Sequence, residues 1–106
     1  MPIELTEQNL KSEVSESSIP VIIKAYASWC GPCIQMTPIF EEVEKSFTGK
    51  VKFLELNVDQ ARNLAIQYGI TSIPTFIFIK DGEIAHKETG YMAKEELKSK
   101  IEEFIK

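Results

Sequence analysis

The pattern of apolar residues divides this chain of 106 residues into segments with strand periodicity and segments with helix periodicity. Near-continuous apolar runs over residues 21–27 and 51–58 predict two strands that are buried on both faces. Residues 75–79 and 83–87 predict two more strands, and Asp81-Gly82 between them is a strong signal for a tight hairpin turn. The pattern thus predicts a sheet whose last two strands are antiparallel neighbours.

Apolar residues recur with helical spacing over residues 33–47 and again over residues 93–105, which predicts a helix in each segment. Thr6 is the expected N-cap of a first helix. Asp59 is the expected N-cap of a short third helix, which should end at Gly69. The predicted order of elements is therefore helix, strand, helix, strand, helix, strand, strand, helix.

Two strand–helix–strand crossovers followed by a hairpin predict the α/β class, with a mixed sheet that has helices on both faces. We expect a three-layer α/β/α sandwich with a central sheet of four to five strands and four flanking helices. The length of 106 residues, without repeats or linkers, predicts a single domain over residues 1–106.

The charge balance and the hydropathy pattern argue against several classes of protein. With 12 basic and 16 acidic side chains the net charge is −4, and no basic stripe is present that would bind a phosphate backbone. The longest apolar run is far shorter than the roughly 20 residues that span a bilayer. The first residues lack the features of a secretory signal. We therefore expect a cytoplasmic protein that binds neither nucleic acid nor membrane.

Both cysteines lie in the stretch Trp29-Cys30-Gly31-Pro32-Cys33. This spacing suits a small disulfide ring, or one half of a metal site with about four ligands, to which the chain adds only His86. A structural disulfide closing so short a loop would contribute only about 2 kcal/mol through the unfolded chain. Between a strand and a helix, the spacing indicates a redox motif. The alternatives are a structural disulfide and a metal shared by two chains, and we expect no metal.

The same stretch resembles the active site of the thioredoxin family, and the resemblance covers nearly the whole chain. Further matches are Leu56-Asn57-Val58-Asp59, Tyr68-Gly69-Ile70, Ile73-Pro74-Thr75 and Gly90. The resemblance implies a protein-disulfide reductase with no cofactor besides the Cys30–Cys33 disulfide. It implies a monomer that acts on disulfide-containing client proteins and is reduced by a thioredoxin reductase or another dithiol donor. The alternative is a thioredoxin-fold interaction module that binds partners with little turnover.

The positions of the two cysteines indicate their chemistry. Cys30 is expected at the N-terminus of a helix, where unpaired N–H groups and the helix dipole favour a thiolate. It is the expected nucleophile, and Cys33, one turn further on and more buried, is the expected resolving cysteine. Gly31 allows a substrate backbone to approach closely, and Pro32 stiffens the ring.

The resemblance also implies a docking groove for the client. Ile73-Pro74 is expected to have a cis peptide bond and to face the disulfide, with the Ile73 backbone pairing with an extended client segment. Gly90 should form the far wall of this groove, and Trp29 is expected to be a partly exposed docking residue. Three departures from the family bear on this rim: Ile34 replaces a frequent lysine or arginine, Tyr91 a small residue and Thr71 a frequent arginine. Together they should make the rim more apolar and more crowded.

Lys24 and Glu55 are the main departure from the family. Most thioredoxins have a buried aspartate at the position of Lys24 and commonly a lysine at that of Glu55, so the two charges appear exchanged. We hypothesise that the pair lies beneath Cys33 and handles its proton. Either Glu55 acts as general base, or Lys24 stabilises the thiolate by its charge or accepts the proton itself. The alternative is that both side chains reach solvent separately and never meet.

Overall fold

The computed structural model describes residues 2–106, which contain a five-stranded sheet. Its strands are β1 (Ile3–Glu4), β2 (Val21–Tyr26), β3 (Lys52–Asn57), β4 (Thr75–Lys80) and β5 (Glu83–Thr89). They lie in the order β1-β3-β2-β4-β5 across the sheet. β1, β2 and β3 are parallel, whereas β4 is antiparallel to β2 and β5 is antiparallel to β4. The sheet is therefore mixed, as the sequence predicts.

Two features of the sheet differ from the predicted order of elements. The sequence pattern does not indicate β1, because two residues are too few to show a periodicity. The second predicted crossover, from β3 to β4, ends in a strand that runs against β2 and β3. Both edges of β3 are already paired, to β1 and to β2, so β4 pairs with the remaining edge of β2.

Within residues 2–106, three α-helices and one π-helical turn accompany these strands. The π-helical turn covers Lys11–Ser15, and the helices are α1 (Gly31–Ser46), α2 (Arg62–Gln67) and α3 (Lys94–Phe104). α2 ends as predicted, because Gly69 has a φ of +67° and stops the helix. The first predicted helix is much shorter than expected and forms only the π-helical turn.

Two of the predicted helix caps are wrong. Thr6 lies outside any helix: its backbone N–H donates to Asn9 Oδ1 at 2.8 Å, and its hydroxyl oxygen accepts from the Asn9 N–H at 3.2 Å. These two bonds close a local turn before the π-helical turn. α2 begins after Ala61 without a side-chain cap. The Asp59 carboxylate instead accepts a hydrogen bond from the indole N–H of Trp29 at 2.7 Å.

The sheet separates two hydrophobic cores, which confirms the three-layer α/β/α architecture. On one face α1 and α3 pack over a core that includes Ile22, Met36, Phe40, Val43, Phe53, Phe76, Phe78, Leu97 and Ile101. On the other face α2 and the π-helical turn cover a core that includes Leu5, Val14, Val21, Ile23, Leu54, Leu56, Leu64, Ile77 and Ile79. Because side chains alternate along a strand, Lys24 and Tyr26 of β2 point to the same face as Ile22, the face covered by α1.

Candidate active site

The two cysteines lie where β2 gives way to α1, and their sulphurs form a disulfide. Cys30 is the N-cap of α1 with an extended backbone, and its Sγ accepts a hydrogen bond from the backbone N–H of Cys33 at 3.2 Å. Pro32 lies in the first turn of the helix, where a missing N–H costs nothing. The two Cα atoms are 5.2 Å apart, within the ordinary range for a disulfide.

The two cysteines differ in their exposure to solvent. Cys30 is 6% exposed, whereas Cys33, which lies within the first turn of α1, is 1% exposed. A protein substrate therefore meets Cys30 first. Once the disulfide is reduced, an N–H group at the helix N-terminus that donates to the Cys30 sulphur favours its thiolate form, because such a bond is stronger to a charged acceptor. The geometry thus favours Cys30 as the attacking sulphur.

The Ile73-Pro74 segment lies against the disulfide. Its peptide bond is cis, and Ile73 packs on the small cluster that contains both cysteines. The Gly90 N–H donates to the Pro74 carbonyl at 2.8 Å, which joins the end of β5 to this segment. Gly90 has a φ of +96°, a conformation that favours glycine. The structure thus brings together Ile73, Pro74 and Gly90, three of the residues that the resemblance assigns to a docking groove.

Exposed apolar side chains flank the cysteines and Gly90 in the sequence. Trp29, which immediately precedes Cys30, is 71% exposed, and its indole N–H donates to Asp59. Ile34, which follows Cys33, and Tyr91, which follows Gly90, are exposed as well. These exposed side chains are available to contact a protein client, and a more crowded rim stays a prediction.

Lys24 and Glu55 face each other on the neighbouring strands β2 and β3. Lys24 Nζ lies 2.9 Å from Glu55 Oε2, so the two charges form an ion pair. The Lys24 side chain is 0% exposed and that of Glu55 is 16% exposed. The alternative in which both side chains reach solvent without meeting is therefore wrong. The cation is the inner charge of the pair, and the carboxylate is the outer one.

Further contacts hold the Lys24 ammonium on the side of α1. Its Nζ donates to Thr37 Oγ1 at 3.3 Å, and lies 5.3 Å from the ring centroid of Phe40 and 5.4 Å from that of Tyr26. Such distances allow a cation–π attraction. The Thr37 hydroxyl also donates to the carbonyl oxygen of Cys33 at 3.3 Å. Sequence reasoning missed Thr37, although its spacing of four residues from Cys33 places both on one side of a helix.

Beside the ion pair, the carboxylate of Glu4 on β1 accepts two further hydrogen bonds, one from β2 and one from β3. The Tyr26 hydroxyl donates to Glu4 Oε1 at 2.9 Å, and the Asn57 N–H donates to Glu4 Oε2 at 3.2 Å. Partial burial raises the pKa of Glu4 above its ordinary value. Burial, followed by the hydrogen bond to Glu4, raises the pKa of Tyr26 to about 12. No sequence pattern indicates Glu4, because it lies on the short strand β1.

We expect an alkaline titration to show the Tyr26 contact directly. The pKa of Tyr26 is about 12 in the folded protein, against 10.0 for the free side chain, so the folded state keeps a proton that the unfolded chain loses. Stability should therefore fall as the pH rises from 10.0 to about 12. Burial also raises the pKa of Tyr68, so the measurement uses a Tyr68→Phe background. In that background, tyrosinate absorbance after a rapid pH jump should show a component near pH 12 that Tyr26→Phe removes. Tyr91→Phe, at an exposed position, is the control that should retain it; a component that survives Tyr26→Phe would contradict the assignment.

The rest of the described chain adds no second centre of this kind. Within residues 2–106, no group of three or more His, Cys, Asp or Glu side chains is arranged to hold a metal ion. His86 lies on β5, where its ring contacts the Glu88 carboxylate. Over the same residues, no helix combines the length and the apolar character needed to cross a bilayer.

The fold and the site define a class of enzyme. A reachable sulphur at a helix N-terminus, bonded to a second, more deeply buried sulphur one turn along, is the arrangement that exchanges disulfides with other proteins. The chain is a thiol–disulfide oxidoreductase.

Comparisons with known proteins identify the family. The family model described as Thioredoxin matches residues 1–103. The chain is 42% identical over 97 residues to the thioredoxin of Rickettsia felis, covering 92% of each protein. It is 39% identical over 102 residues to the thioredoxin of Chlorobaculum thiosulfatiphilum, covering 96% of this chain and 94% of the relative. It is 40% identical over 101 residues to "Thioredoxin M4, chloroplastic" of Arabidopsis thaliana, covering 95% of this chain and 52% of that relative.

The chain therefore belongs to the thioredoxin family. With its active-site disulfide it is a protein-disulfide reductase. Membership of the family implies disulfide-containing substrates and, in general, a reductase that restores the dithiol.

Proposed function

We propose that Cys30 attacks the disulfide of a client protein and that Cys33 completes the reduction. The Cys30 thiolate forms a bond to one client sulphur, and the other client sulphur leaves as a thiolate and takes up a proton. Cys33 then loses its proton, and its sulphur bonds to Cys30 while the Cys30–client bond breaks. The second client sulphur leaves as a thiolate and is protonated in turn. The client gains two electrons and two protons, and the enzyme ends with the Cys30–Cys33 disulfide.

The observation that carries this assignment is the position of Cys30 as the N-cap of α1, with the Cys33 N–H directed at its sulphur. Cys30 and Cys33 need different surroundings, because Cys30 attacks the client disulfide and Cys33 later breaks the bond between Cys30 and the client. The better exposed sulphur meets the client, and the buried one is kept from competing thiols in solution. No part of this arrangement is missing, which favours turnover over an interaction module that only binds.

We further propose that the client docks as an extended segment along the Ile73-Pro74 and Gly90 groove. Backbone pairing with Ile73 would align the client disulfide with Cys30, in the manner of strand addition. The exposed apolar side chains of Trp29 and Tyr91 would then cover the flanking residues of the client. Gly31, which has open space at the position of a Cβ, leaves room for the client backbone beside the disulfide.

Glu55 is the group that we propose takes up the proton of Cys33. Glu55 is partly exposed and can pass the proton on to solvent, whereas Lys24 is fully enclosed and has no such exit. Lys24 then acts as a fixed cation that favours the Cys33 thiolate. The ion pair at 2.9 Å supports this division of roles, because the two charges stabilise each other until the Glu55 carboxylate takes up the proton of Cys33.

We place this activity in the cytoplasm, where other thiols are kept reduced and a disulfide formed during turnover can be reopened. The partner that reopens it is a thioredoxin reductase or another dithiol donor, and the protein acts as a monomer. The proposed clients are proteins whose disulfides lie in extended, accessible segments, since the groove accepts an extended backbone.

Reduction of insulin disulfides with dithiothreitol tests the proposed function and the proton acceptor together. The wild-type protein should accelerate the precipitation of insulin chains well above the rate with dithiothreitol alone. Glu55→Gln should slow turnover by about 10²-fold near neutral pH, the lower end of the usual contribution of a general base, and should move the pH profile to the alkaline side. Lys24→Met should also change the profile, because the thiolate loses its neighbouring cation.

The control is Glu41→Gln on α1, which removes a carboxylate outside the described site and should leave the profile unchanged. Normal binding of a client without acceleration would favour the interaction module. Wild-type profiles in both Glu55→Gln and Lys24→Met would refute the proposed proton handling while leaving the reductase assignment intact.

A further inference from the structure

We propose that Thr37 is a positioning residue for the second step of the reaction: its hydroxyl holds the Lys24 ammonium against the first turn of α1 and thereby keeps a positive charge directed at Cys33. This inference rests on the proposed roles of Cys30 and Cys33. It adds a residue that the thioredoxin motif does not contain.

The hydrogen bonds of the Lys24 ammonium indicate that Thr37 determines its position. An ammonium has three N–H donors, and burial makes each unpaired donor costly. Within residues 2–106, the Lys24 ammonium has two oxygen acceptors, Glu55 Oε2 at 2.9 Å and Thr37 Oγ1 at 3.3 Å. Glu55 draws the ammonium towards β3, and Thr37 draws it towards α1. The hydroxyl is therefore the contact that holds the cation on the side of the cysteines.

The same hydroxyl is bonded to the resolving cysteine. A threonine hydroxyl can accept and donate at once, and Thr37 Oγ1 accepts from Lys24 while its O–H donates to the Cys33 carbonyl at 3.3 Å. One atom thus separates the buried charge from the backbone of Cys33. The following residue, Pro38, has no N–H for the helix, so the hydroxyl bond reinforces the turn where the backbone ladder is interrupted.

Other charged and titratable groups around Lys24 do not provide this link. Glu55 faces the ammonium from β3, and Glu4 lies further out on β1, where it binds the Tyr26 hydroxyl. Both carboxylates belong to strands, Glu4 to β1 and Glu55 to β3, and neither belongs to α1. Tyr26 and Phe40 offer ring faces, which attract a cation but form no bond to the cysteine turn. Thr37 is the polar side chain that joins the ion pair to α1.

Loss of the hydroxyl should therefore act on the second step and not on the first. In Thr37→Val the ammonium keeps Glu55 as its oxygen acceptor and shifts towards β3, so the thiolate of Cys33 loses part of its stabilisation. Cys33 then needs a higher pH to ionise. Because a hydrogen bond to a charged group changes an equilibrium by about tenfold or more, resolution should slow about tenfold at neutral pH and its midpoint should rise by about one pH unit.

The experiment is a stopped-flow reaction of the fully reduced protein with 5,5′-dithiobis(2-nitrobenzoate), measured from acid to alkaline pH. Attack by Cys30 releases the first thionitrobenzoate, and resolution by Cys33 releases the second, so the two steps appear as separate phases. Thr37→Val should leave the first phase unchanged, slow the second and shift its pH profile to the alkaline side. Thr37→Ser, which restores a hydroxyl, should recover the wild-type second phase.

Thr48→Val is the matched control, since the Thr48 hydroxyl also donates to a backbone carbonyl, that of Lys45, but at the exposed end of α1. Thr37→Ala is measured as well, so that the result stands if valine is not tolerated. A second phase in Thr37→Val and Thr37→Ala that matches wild type at every pH would overturn the proposal. A uniform slowing without a shift of the profile, or no rescue by Thr37→Ser, would also overturn it, because it would show only a structural role. A wild-type protein without the fast first phase would instead refute the assigned role of Cys30.

Discussion

Cys33→Ser is expected to accumulate client proteins as mixed disulfides on Cys30, and Cys30→Ser is expected to lose protein-disulfide reduction by about 10⁴-fold or more. Both results follow from the separation of roles at the N-terminus of α1. Cys30 forms the bond to the client, and Cys33 is the sulphur positioned to break it. Non-reducing electrophoresis after exposure to an oxidised client measures the trapped complex, and insulin reduction measures the lost turnover.

The chain itself makes this experiment simple to interpret. It contains two cysteines, so any disulfide adduct of Cys33→Ser must involve Cys30. Dithiothreitol should release the client from the adduct, and the double variant Cys30→Ser/Cys33→Ser should trap nothing. The assignment of the nucleophile would be contradicted if Cys30→Ser trapped clients on Cys33 as efficiently as Cys33→Ser traps them on Cys30. Insulin reduction by Cys30→Ser well above the rate with dithiothreitol alone would contradict the two-step mechanism.

The part of the site that the sequence predicts well is the part that is local in the chain. Cys30 as a helix N-cap, Pro32 in the first turn and Cys33 one turn further on all follow from one strand-to-helix transition. The hairpin at Asp81-Gly82 is local as well: both residues have positive φ, as a tight primed turn requires. Such features depend on neighbours along the chain, which periodicity and turn chemistry describe directly.

The groove at Ile73-Pro74 and Gly90 is different, because its parts come together only when the sheet forms. The N-terminal end of β4 and the C-terminal end of β5 meet beside the disulfide, and the bond from Gly90 to Pro74 is a consequence of that pairing. Residue types alone indicate a turn before a strand and a strand terminator. The resemblance to the family, and not the physical reading of these residues, indicates the groove.

The ion pair shows where sequence reasoning reaches its limit. Alternation along β2 and β3 indicates which face Lys24 and Glu55 occupy, but their contact depends on the register of the two strands, which alternation does not determine. The same limit explains why Thr37 and Glu4 were missed. Thr37 acquires its role only because α1 packs over β2, and Glu4 only because the two-residue strand β1 pairs with β3.

In the buried pair the lysine is the enclosed partner and the glutamate the partly exposed one, so removing either charge should change the free energy of unfolding by a different amount. Glu55→Gln is expected to lower the free energy of unfolding by about 3 kcal/mol, because it leaves the enclosed Lys24 ammonium without its counter-charge. Lys24→Met is expected to cost much less. Methionine fills a similar volume with an apolar chain, and the Glu55 carboxylate, already 16% exposed, can turn towards water. Urea unfolding at neutral pH, with midpoint and slope fitted for each variant, measures the difference.

The double variant Lys24→Met/Glu55→Gln decides whether the cost comes from the uncompensated charge. With the ammonium gone, the loss caused by Glu55→Gln should largely disappear, so the double variant should resemble Lys24→Met and the two substitutions should be strongly non-additive. Glu42→Gln, at an exposed carboxylate of α1, is the control expected to change stability by no more than about 0.5 kcal/mol. If Lys24→Met proved as costly as Glu55→Gln, the buried cation would be a net stabilising element in its own right. The enclosed charge would then be kept by packing and by its contacts with the rings of Tyr26 and Phe40, and its pairing with Glu55 would not be what makes a buried lysine tolerable.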